Sequence, residues 1–463
     1  MLPYVSMWYK RGESMAPEPR CEMQTPPLRE YQKRAIFETA AAHERYAFYY
    51  DTGVGKTRVG AGIIATYPMH PAFRRRVAWC VVTPRSVFPA WIAELELWGV
   101  PCWTPVKHYH TRQWRGRIAS EPNGGVMLVT PQTLALDAHW EQLRTHIEGL
   151  IVDESSILCN PKAKITKRLS GWAERCARVY LLSGSPSPQG PLWLWAQASM
   201  LGAAPRELQT WWRWANLFGI QITFPGRKGG PWRLRPGADK RILEMMRQKA
   251  EYIKKEDVLS LDAAHVFDRE FASSRPSPTW ERFVREYEKR GNVMLQREIA
   301  SGFAYVGEDG EAHWGDPARV EAALELVAEL DGRNLILWTQ FRATKARLLE
   351  ELPSLGCEVH TDPQEFIAGS GWRVLIAHPR SAGYGTDGLQ HVASDMVFVE
   401  ASFSYDEYYQ ALSRLHRSGQ TKPVVVYRLL AAGNEIEEKM WSAVEQKMGL
   451  AQLLQEELRG RLE

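Results

Sequence analysis

Gly53-Val54-Gly55-Lys56-Thr57 is the stretch whose reading decides the fold. It follows the apolar run Tyr46-Ala47-Phe48-Tyr49-Tyr50 and opens a segment of helical character. A strand, a glycine turn and a helix beginning at Gly-Lys-Thr make a phosphate cradle. The glycines let backbone N–H groups close on phosphate oxygens, and the helix N-terminus adds its partial positive charge. In such a cradle Gly53, Val54, Gly55, Lys56, Thr57 and Arg58 surround a nucleoside triphosphate. Lys56 reaches the β- and γ-phosphates, and the Thr57 hydroxyl binds Mg²⁺. The usual pattern has a further glycine where this chain has Tyr50, so the strand enters the turn without that extra backbone freedom.

Working outward, the chain has 463 residues, of which 44% are hydrophobic, enough for two or three domains with large cores. No apolar run approaches the roughly 20 residues of a membrane span. The first residues mix Met, Pro, Tyr, Lys and Arg without an apolar segment, which predicts no signal peptide. Six scattered cysteines without a C-x-x-C pair argue against zinc and against a disulfide framework, and predict a cytoplasmic protein. His108 and His110 would share a strand face, but no third ligand is evident. The net charge of +4 and pI of about 8.6 permit a nucleic-acid partner without requiring one.

Short β-rich runs alternate with helical patterns at Tyr46–Tyr50, Ala78–Thr83, Val126–Thr130, Leu150–Asp153 and Val179–Ser183. A second alternation runs through Asn334–Thr339, Glu358–Thr361, Trp372–Ala377, Met396–Glu400 and Pro423–Leu429. Strands separated by helices predict an α/β fold of parallel sheets flanked by helices. The layout is a loose tail over 1–24, a first lobe over 25–189, an insertion over 190–262 and a second lobe over 263–463. A closing helix is expected, because Ile436, Met440, Val444 and Met448 recur on one face.

Leu150-Ile151-Val152-Asp153-Glu154 is an apolar strand ending in two acids. Beside a phosphate cradle, Asp153 would hold Mg²⁺ together with Thr57, and Glu154 would orient or deprotonate the attacking water. In Gln410-Ala-Leu-Ser-Arg414-Leu-His-Arg417-Ser-Gly-Gln420, residues 410, 414 and 417 are expected on one helix face. Two arginines aimed across a cleft would neutralise charge on the transferred phosphoryl group, and their origin in the second lobe would make hydrolysis depend on lobe closure.

Taken in order, Leu28-Arg29-Glu30-Tyr31-Gln32, Gly53–Thr57, Asp153-Glu154, Leu182-Ser183-Gly184-Ser185-Pro186 and Gln410–Gln420 resemble the motifs of superfamily-two helicases, and specifically the Swi/Snf-related ATPases. The most specific likeness is Arg414-Leu-His-Arg-Ser-Gly-Gln420, followed by Pro423–Leu429 and Glu435-Ile-Glu-Glu438. The resemblance spans roughly Pro26 to Met448. It implies two RecA-like lobes, ATP with Mg²⁺ in the cleft between them, and translocation on double-stranded DNA. Strand separation on DNA or RNA, or an ATP-gated DNA clamp with little turnover, are the alternatives. It also implies that Gln32 reads the adenine edge with Arg29 nearby and that Gln410 belongs to the nucleotide site.

Further implied contacts, to the phosphates of the tracked strand, fall on Thr83, Pro84, Arg85, Thr130, Gln132 and Thr133 in the first lobe. In the second they fall on Gln340 and Thr386. Ser183–Pro186 would relay phosphate state to the nucleic-acid side. The compact build looks like versions encoded by bacteriophages or bacteria, which would place the protein in a host cytoplasm. One chain supplies both halves of the site, so a monomer is expected. Two places depart from the family: Ser155-Ser156 replaces a small residue and histidine, and the Gly385–Gln390 loop is one residue longer.

The insertion is rich in tryptophan and basic residues. Gly219–Phe224 and Trp232–Arg235 are expected to pair as a hairpin, with Arg227, Lys228 and Arg233 as duplex-gripping cations or as a solvated basic loop. Trp211, Trp214 and Phe218 fall at helical spacing and are expected in the core rather than as a base-stacking platform.

Overall fold

The computed structural model describes residues 27–66, 78–100, 102–103, 126–135, 147–223, 230–259, 261–272, 278–288, 293–306, 310–379 and 388–459. The tail over 1–24, His108, His110, Arg227, Lys228 and Thr386 lie outside them.

In chain order the first lobe contains β1 (Arg45–Tyr50), β2 (Ala78–Val82), β3 (Cys102–Trp103), β4 (Val126–Val129), β5 (Ile147–Asp153) and β6 (Arg178–Leu182). A short antiparallel hairpin of β7 (Gly219–Gln221) and β8 (Trp232–Leu234) follows, then β9 (Ala250–Ile253). These strands, the hairpin excepted, form one parallel seven-stranded sheet in the order β3-β4-β2-β5-β6-β1-β9. Its apolar runs are continuous because a parallel sheet is covered on both faces. Successive residues divide between two cores. Ala47, Tyr49, Val152 and Leu181 point into one, and Phe48, Tyr50, Ile151 and Leu182 into the other.

The second lobe is built from β10 (His265–Phe271), the antiparallel hairpin β11 (Phe303–Val306) and β12 (Glu311–Trp314), then β13 (Leu335–Trp338), β14 (Glu358–His360), β15 (Arg373–Ala377), β16 (Asp395–Phe398) and β17 (Val425–Ala431). Its parallel sheet has the order β10-β17-β16-β13-β15-β14. Again the two faces are filled separately, by Ile336, Trp338 and Phe398 on one side and Leu337, Ile376 and Val397 on the other. Two parallel sheets with helices on both faces are the architecture the alternation predicts. The ten expected strands all form, with ends displaced by up to three residues.

The expected insertion is not a separate layer. Leu192, Leu194, Trp214, Phe218, Ile242 and Tyr252 share one core with Ala47 and Tyr49 of β1, so the first lobe continues past residue 189. β9 pairs with β1, an edge position that a four-residue run does not announce. The hairpin forms where expected. Trp214 and Phe218 are buried, Trp211 stacks on Trp193, and Trp212 is exposed. The closing helix, Glu435–Glu457, packs Met440, Trp441 and Val444 into the second lobe. Its end then reaches the first lobe, where Leu458 is buried and its carbonyl accepts from the Tyr252 N–H at 2.6 Å. No helix among the described residues is long and apolar enough to cross a membrane.

Candidate active site between the lobes

The motif residues gather at the carboxyl ends of the first sheet, where parallel α/β proteins place their ligands. β1 leads into the glycine turn, β5 into Asp153-Glu154, and β6, which lies between them, into Ser183–Pro186. β2 and β4 carry Thr83-Pro84-Arg85 and Thr130-Pro131-Gln132-Thr133 further along the same edge.

Gly53 and Gly55 adopt φ of +86° and +88°, conformations open to glycine at little cost. Helix Lys56–Thr66 starts directly after them, with Thr57 in its first turn. Lys56 is buried, and its Nζ donates to the Tyr50 carbonyl at 2.9 Å. The residue standing where glycine is usual thus contributes its main-chain oxygen as a resting partner for the lysine. Gln32 is buried against the turn; its Nε2 donates to the Val54 carbonyl at 3.3 Å, and Tyr31 OH donates to the same oxygen at 2.7 Å. Arg29 donates to the Val258 carbonyl at 3.0 Å. Arg58, expected at the phosphates, instead forks onto Glu94 at 3.0–3.2 Å, because its position on the helix faces the neighbouring helix Phe88–Leu97.

Asp153 is nearly inaccessible and held from two sides. Thr83 Oγ1 donates to Oδ2 at 2.9 Å, Trp91 Nε1 donates to the same oxygen at 2.8 Å, and the Glu154 N–H donates to Oδ1 at 3.1 Å. Such partners fix the direction of a metal-binding carboxylate. Thr83 is therefore not a strand contact: it is fully buried, with its hydroxyl committed to Asp153. Trp91 was not legible as a site residue, since only the packing of its helix on the sheet brings it there.

Glu154 sits at φ 53° and ψ 58°, the one non-glycine residue with positive φ among those described. That backbone is disfavoured for L-residues by about 1–2 kcal/mol and is held here by the surrounding fold. Burial pushes the Glu154 carboxyl up to about 7; Lys56 and Arg414 pull it down, while Asp153 and Asp406 push it further up. Two of those four charges belong to the second lobe.

Helix Tyr405–Leu415 delivers them. Asp406 Oδ1 accepts from Ser185 Oγ at 2.6 Å, and Gln410 Nε2 donates to Asp406 Oδ2 at 3.2 Å. Gln410 and Arg414 are buried on this face. Arg417 does not share it. The helix ends at Leu415, and Arg417 follows in a turn whose N–H donates to the Leu415 carbonyl at 3.0 Å. From that turn Arg417 lies against the glycine loop: a Cβ built on Gly53 would meet its Cβ at 3.1 Å.

The remaining expected contacts divide. Arg85, Gln132 and Arg233 are exposed, while Thr130 caps the short helix Pro131–Ala135, accepting from the Thr133 N–H at 3.1 Å. Pro84 is half-buried. Gln340 is held within its own lobe, its N–H donating to Glu400 at 2.8 Å and its amide to Glu407 at 3.4 Å. Ser155 is buried and donates to Gln197 at 3.0 Å; Gln197 also accepts from Tyr49 and donates to the Pro186 carbonyl at 2.6 Å. That glutamine links β1, the acid pair and Ser183–Pro186, a junction no local pattern marks. A cleft of about 680 Å³ between the lobes is lined by Ser156 and Gln189 on one side and by Arg297, Gln340, His378 and Lys447 on the other.

Residues 25–156 match the family model described as type III restriction enzyme, res subunit. A putative protein p41 of Acyrthosiphon pisum secondary endosymbiont phage 1 is 23% identical over 345 residues, covering 67% of this chain and 72% of that protein. The SWI/SNF-related matrix-associated actin-dependent regulator of chromatin subfamily A-like protein 1 of Drosophila melanogaster is 25% identical over 349 residues, covering 69% of this chain and 43% of its own length. The Sulfolobus solfataricus SWI2/SNF2 ATPase core, solved in complex with dsDNA, is 17% identical with a TM-score of 0.42, over 94% of this chain and 97% of that one.

A glycine-loop lysine and an acid pair on one parallel sheet, faced by arginines from a second, make an arrangement that can hold the phosphates of a nucleotide between two lobes. In sequence the chain is similar to the Swi/Snf-related proteins, at 25% identity over 69% of its length for the Drosophila relative. It spans less than half the length of the Drosophila relative.

Proposed function

We propose that this protein is a DNA-dependent ATPase that couples ATP hydrolysis to translocation on double-stranded DNA. The observation that supports it most directly is the closeness of Arg417 to Gly53, with Arg414 in electrostatic reach of Glu154. Hydrolysis and lobe contact then share the same residues, so each turnover is tied to closure and reopening.

The residues present fit ATP with Mg²⁺. Gly53–Thr57 would hold the triphosphate, with Lys56 leaving the Tyr50 carbonyl for the phosphates. Thr57 and the oriented Asp153 would hold Mg²⁺, which when bound spreads the phosphate charge. Glu154, raised to about 7, accepts a proton from water near neutral pH. Arg414 and Arg417 neutralise charge developing on the transferred phosphoryl group. Gln32 would face the base, and Gln410 would order the arginine helix.

DNA fits as partner on charge. Residues 206–241 contain eight basic and two acidic side chains, a local +6 against +4 for the whole chain. Arg85, Gln132 and Arg233 are the exposed contacts offered to a strand backbone, where they position without reading sequence. One chain supplies both halves of the nucleotide site, which supports a monomer. Free cysteines at 80, 102, 159, 176 and 357 support a reducing cytoplasm.

Phosphate release with and without duplex DNA, joined to triplex displacement, tests the reading. Stimulated turnover, third-strand removal without duplex melting, and loss of both in Lys56→Ala and Glu154→Gln are expected. Strand separation on a forked substrate would favour the helicase reading, and DNA binding without turnover the clamp.

A further inference from the structure

Asp51 follows β1 directly and is not a residue the phosphate-binding pattern calls for, yet its carboxylate is deeply buried. Oδ1 accepts from Tyr409 OH at 2.5 Å and from Tyr252 OH. Oδ2 accepts from the Lys255 N–H at 3.0 Å. Tyr252 OH also accepts from Gln455 Nε2 at 2.8 Å, which brings in the closing helix. The Lys255 ammonium donates to the His416 carbonyl at 3.3 Å and lies 5.7 Å from the Tyr409 ring centre. A carboxylate removed from water is tolerable when donors surround it, and hydrogen bonds to an ionised acceptor are the strong kind.

Of these donors, Tyr409 alone comes from the arginine helix. It stands next to Gln410 and five residues before Arg414. One turn earlier the same helix is tied by Asp406 to Ser185. Residues three apart neighbour each other on one face of a helix. Two ties at that spacing, made to the ends of β1 and β6, fix the helix in rotation and in height above the first sheet.

We propose that Asp51 and Tyr409 are positioning residues: their hydrogen bond latches the arginine helix to the phosphate loop and sets how Arg414 and Arg417 meet the nucleotide. The proposal rests on the ATPase reading above. A hydroxyl on the second lobe that reads a carboxylate on the glycine loop makes the loop's own conformation part of the closure signal. Neither residue touches the reacting atoms.

The test combines turnover with an activity-independent readout. Tyr409→Phe, Asp51→Ala and the double variant are compared at saturating ATP and duplex DNA, with melting curves to confirm folding. Loss of the latch is expected to lower kcat on the order of tenfold, since small misplacements of catalytic groups have effects of that size or larger. Binding of a fluorescent ADP analogue should stay within about twofold of the parent, and the double variant should be no slower than Asp51→Ala alone. Hydrogen exchange in nucleotide-free protein should quicken over 405–415 in Tyr409→Phe. Unchanged kcat in folded Tyr409→Phe, multiplying losses in the double variant, or unchanged exchange would each overturn the latch. If the parent protein turns over no ATP, the functional reading fails, while hydrogen exchange still reports on the latch.

Discussion

Gly53 of the phosphate loop and Arg417 of the second lobe are in contact range: a methyl built on Gly53 would lie 3.1 Å from the Arg417 Cβ, tighter than an ordinary contact. The φ of +86° at Gly53 excludes ordinary side chains independently. Gly53→Ala therefore meets two obstacles, a strained backbone at about 1–2 kcal/mol and a crowded contact across the lobe junction. The expected result is a folded protein that binds nucleotide weakly and loses most DNA-stimulated turnover. Nucleotide titration beside a turnover assay checks it.

Asp153 depends on Thr83 and Trp91 for its direction. Thr83→Val and Trp91→Phe each remove one donor to Oδ2 while keeping much of the buried volume. Losses of about 10–100-fold in metal affinity or activity follow when such supporting partners are removed. The Mg²⁺ concentration for half-maximal turnover should rise in both variants, and duplex affinity without nucleotide should not change. A selective loss of duplex affinity in Thr83→Val would return that residue to the strand-contact role its sequence position suggested.

Glu154 makes activity and stability depend on pH in opposite directions. Its carboxyl is raised to about 7 by burial and by Asp153 and Asp406, against an unfolded value near 4.5. A folded state that holds the proton more tightly is favoured below the unfolded value, and that contribution is lost as pH rises through the folded one. Glu154→Gln should therefore melt higher than the parent at pH 8 and close to it at pH 4.5. If Glu154 is the base proposed above, the parent's kcat/KM should fall on the acid side with an apparent midpoint near 7, where its carboxylate is lost. Thermal melts and a pH–rate profile measure the two effects separately.

The sequence discloses those parts of the fold and site that are local. A glycine turn after an apolar strand, or two acids ending one, is a pattern contained within a few residues, so Lys56, Asp153 and Glu154 stand out as candidates in the sequence itself. Trp91 and Tyr409 act on partners 62 and 358 residues away, and only the assembled sheets bring them there. β10 stayed hidden for another reason. Six of its seven residues are exposed, so it has no apolar pattern and is held by its ladder with β17. Arg417 reaches the lobe junction from a turn and not from a helix face, because periodicity continues a helix that the chain ends at Leu415.

Arg319 is the bulkiest fully buried charged side chain among the described residues of the second lobe and lies away from the candidate nucleotide site. It is 1% exposed, pairs with Glu437 at 2.5 Å, and donates to the carbonyls of Val399 at 2.7 Å and Ala300 at 2.8 Å. Its guanidinium also lies 4.9 Å from the Phe271 ring centre. Glu437 opens the closing helix and accepts from the Ala431 N–H at 2.9 Å, so the pair joins that helix to β10, β16 and β17. Arg319→Ala leaves a buried carboxylate and two carbonyls without their donor, and breaking such a pair costs about 3–5 kcal/mol. Replacing both partners with apolar residues of similar size, Arg319→Met with Glu437→Leu, removes the stranded charge and should cost less than the single change. Chemical denaturation of the three proteins decides it. A double variant less stable than Arg319→Ala would mean that the bond from the Ala431 N–H to Glu437, rather than the ion pair, holds this corner of the lobe together.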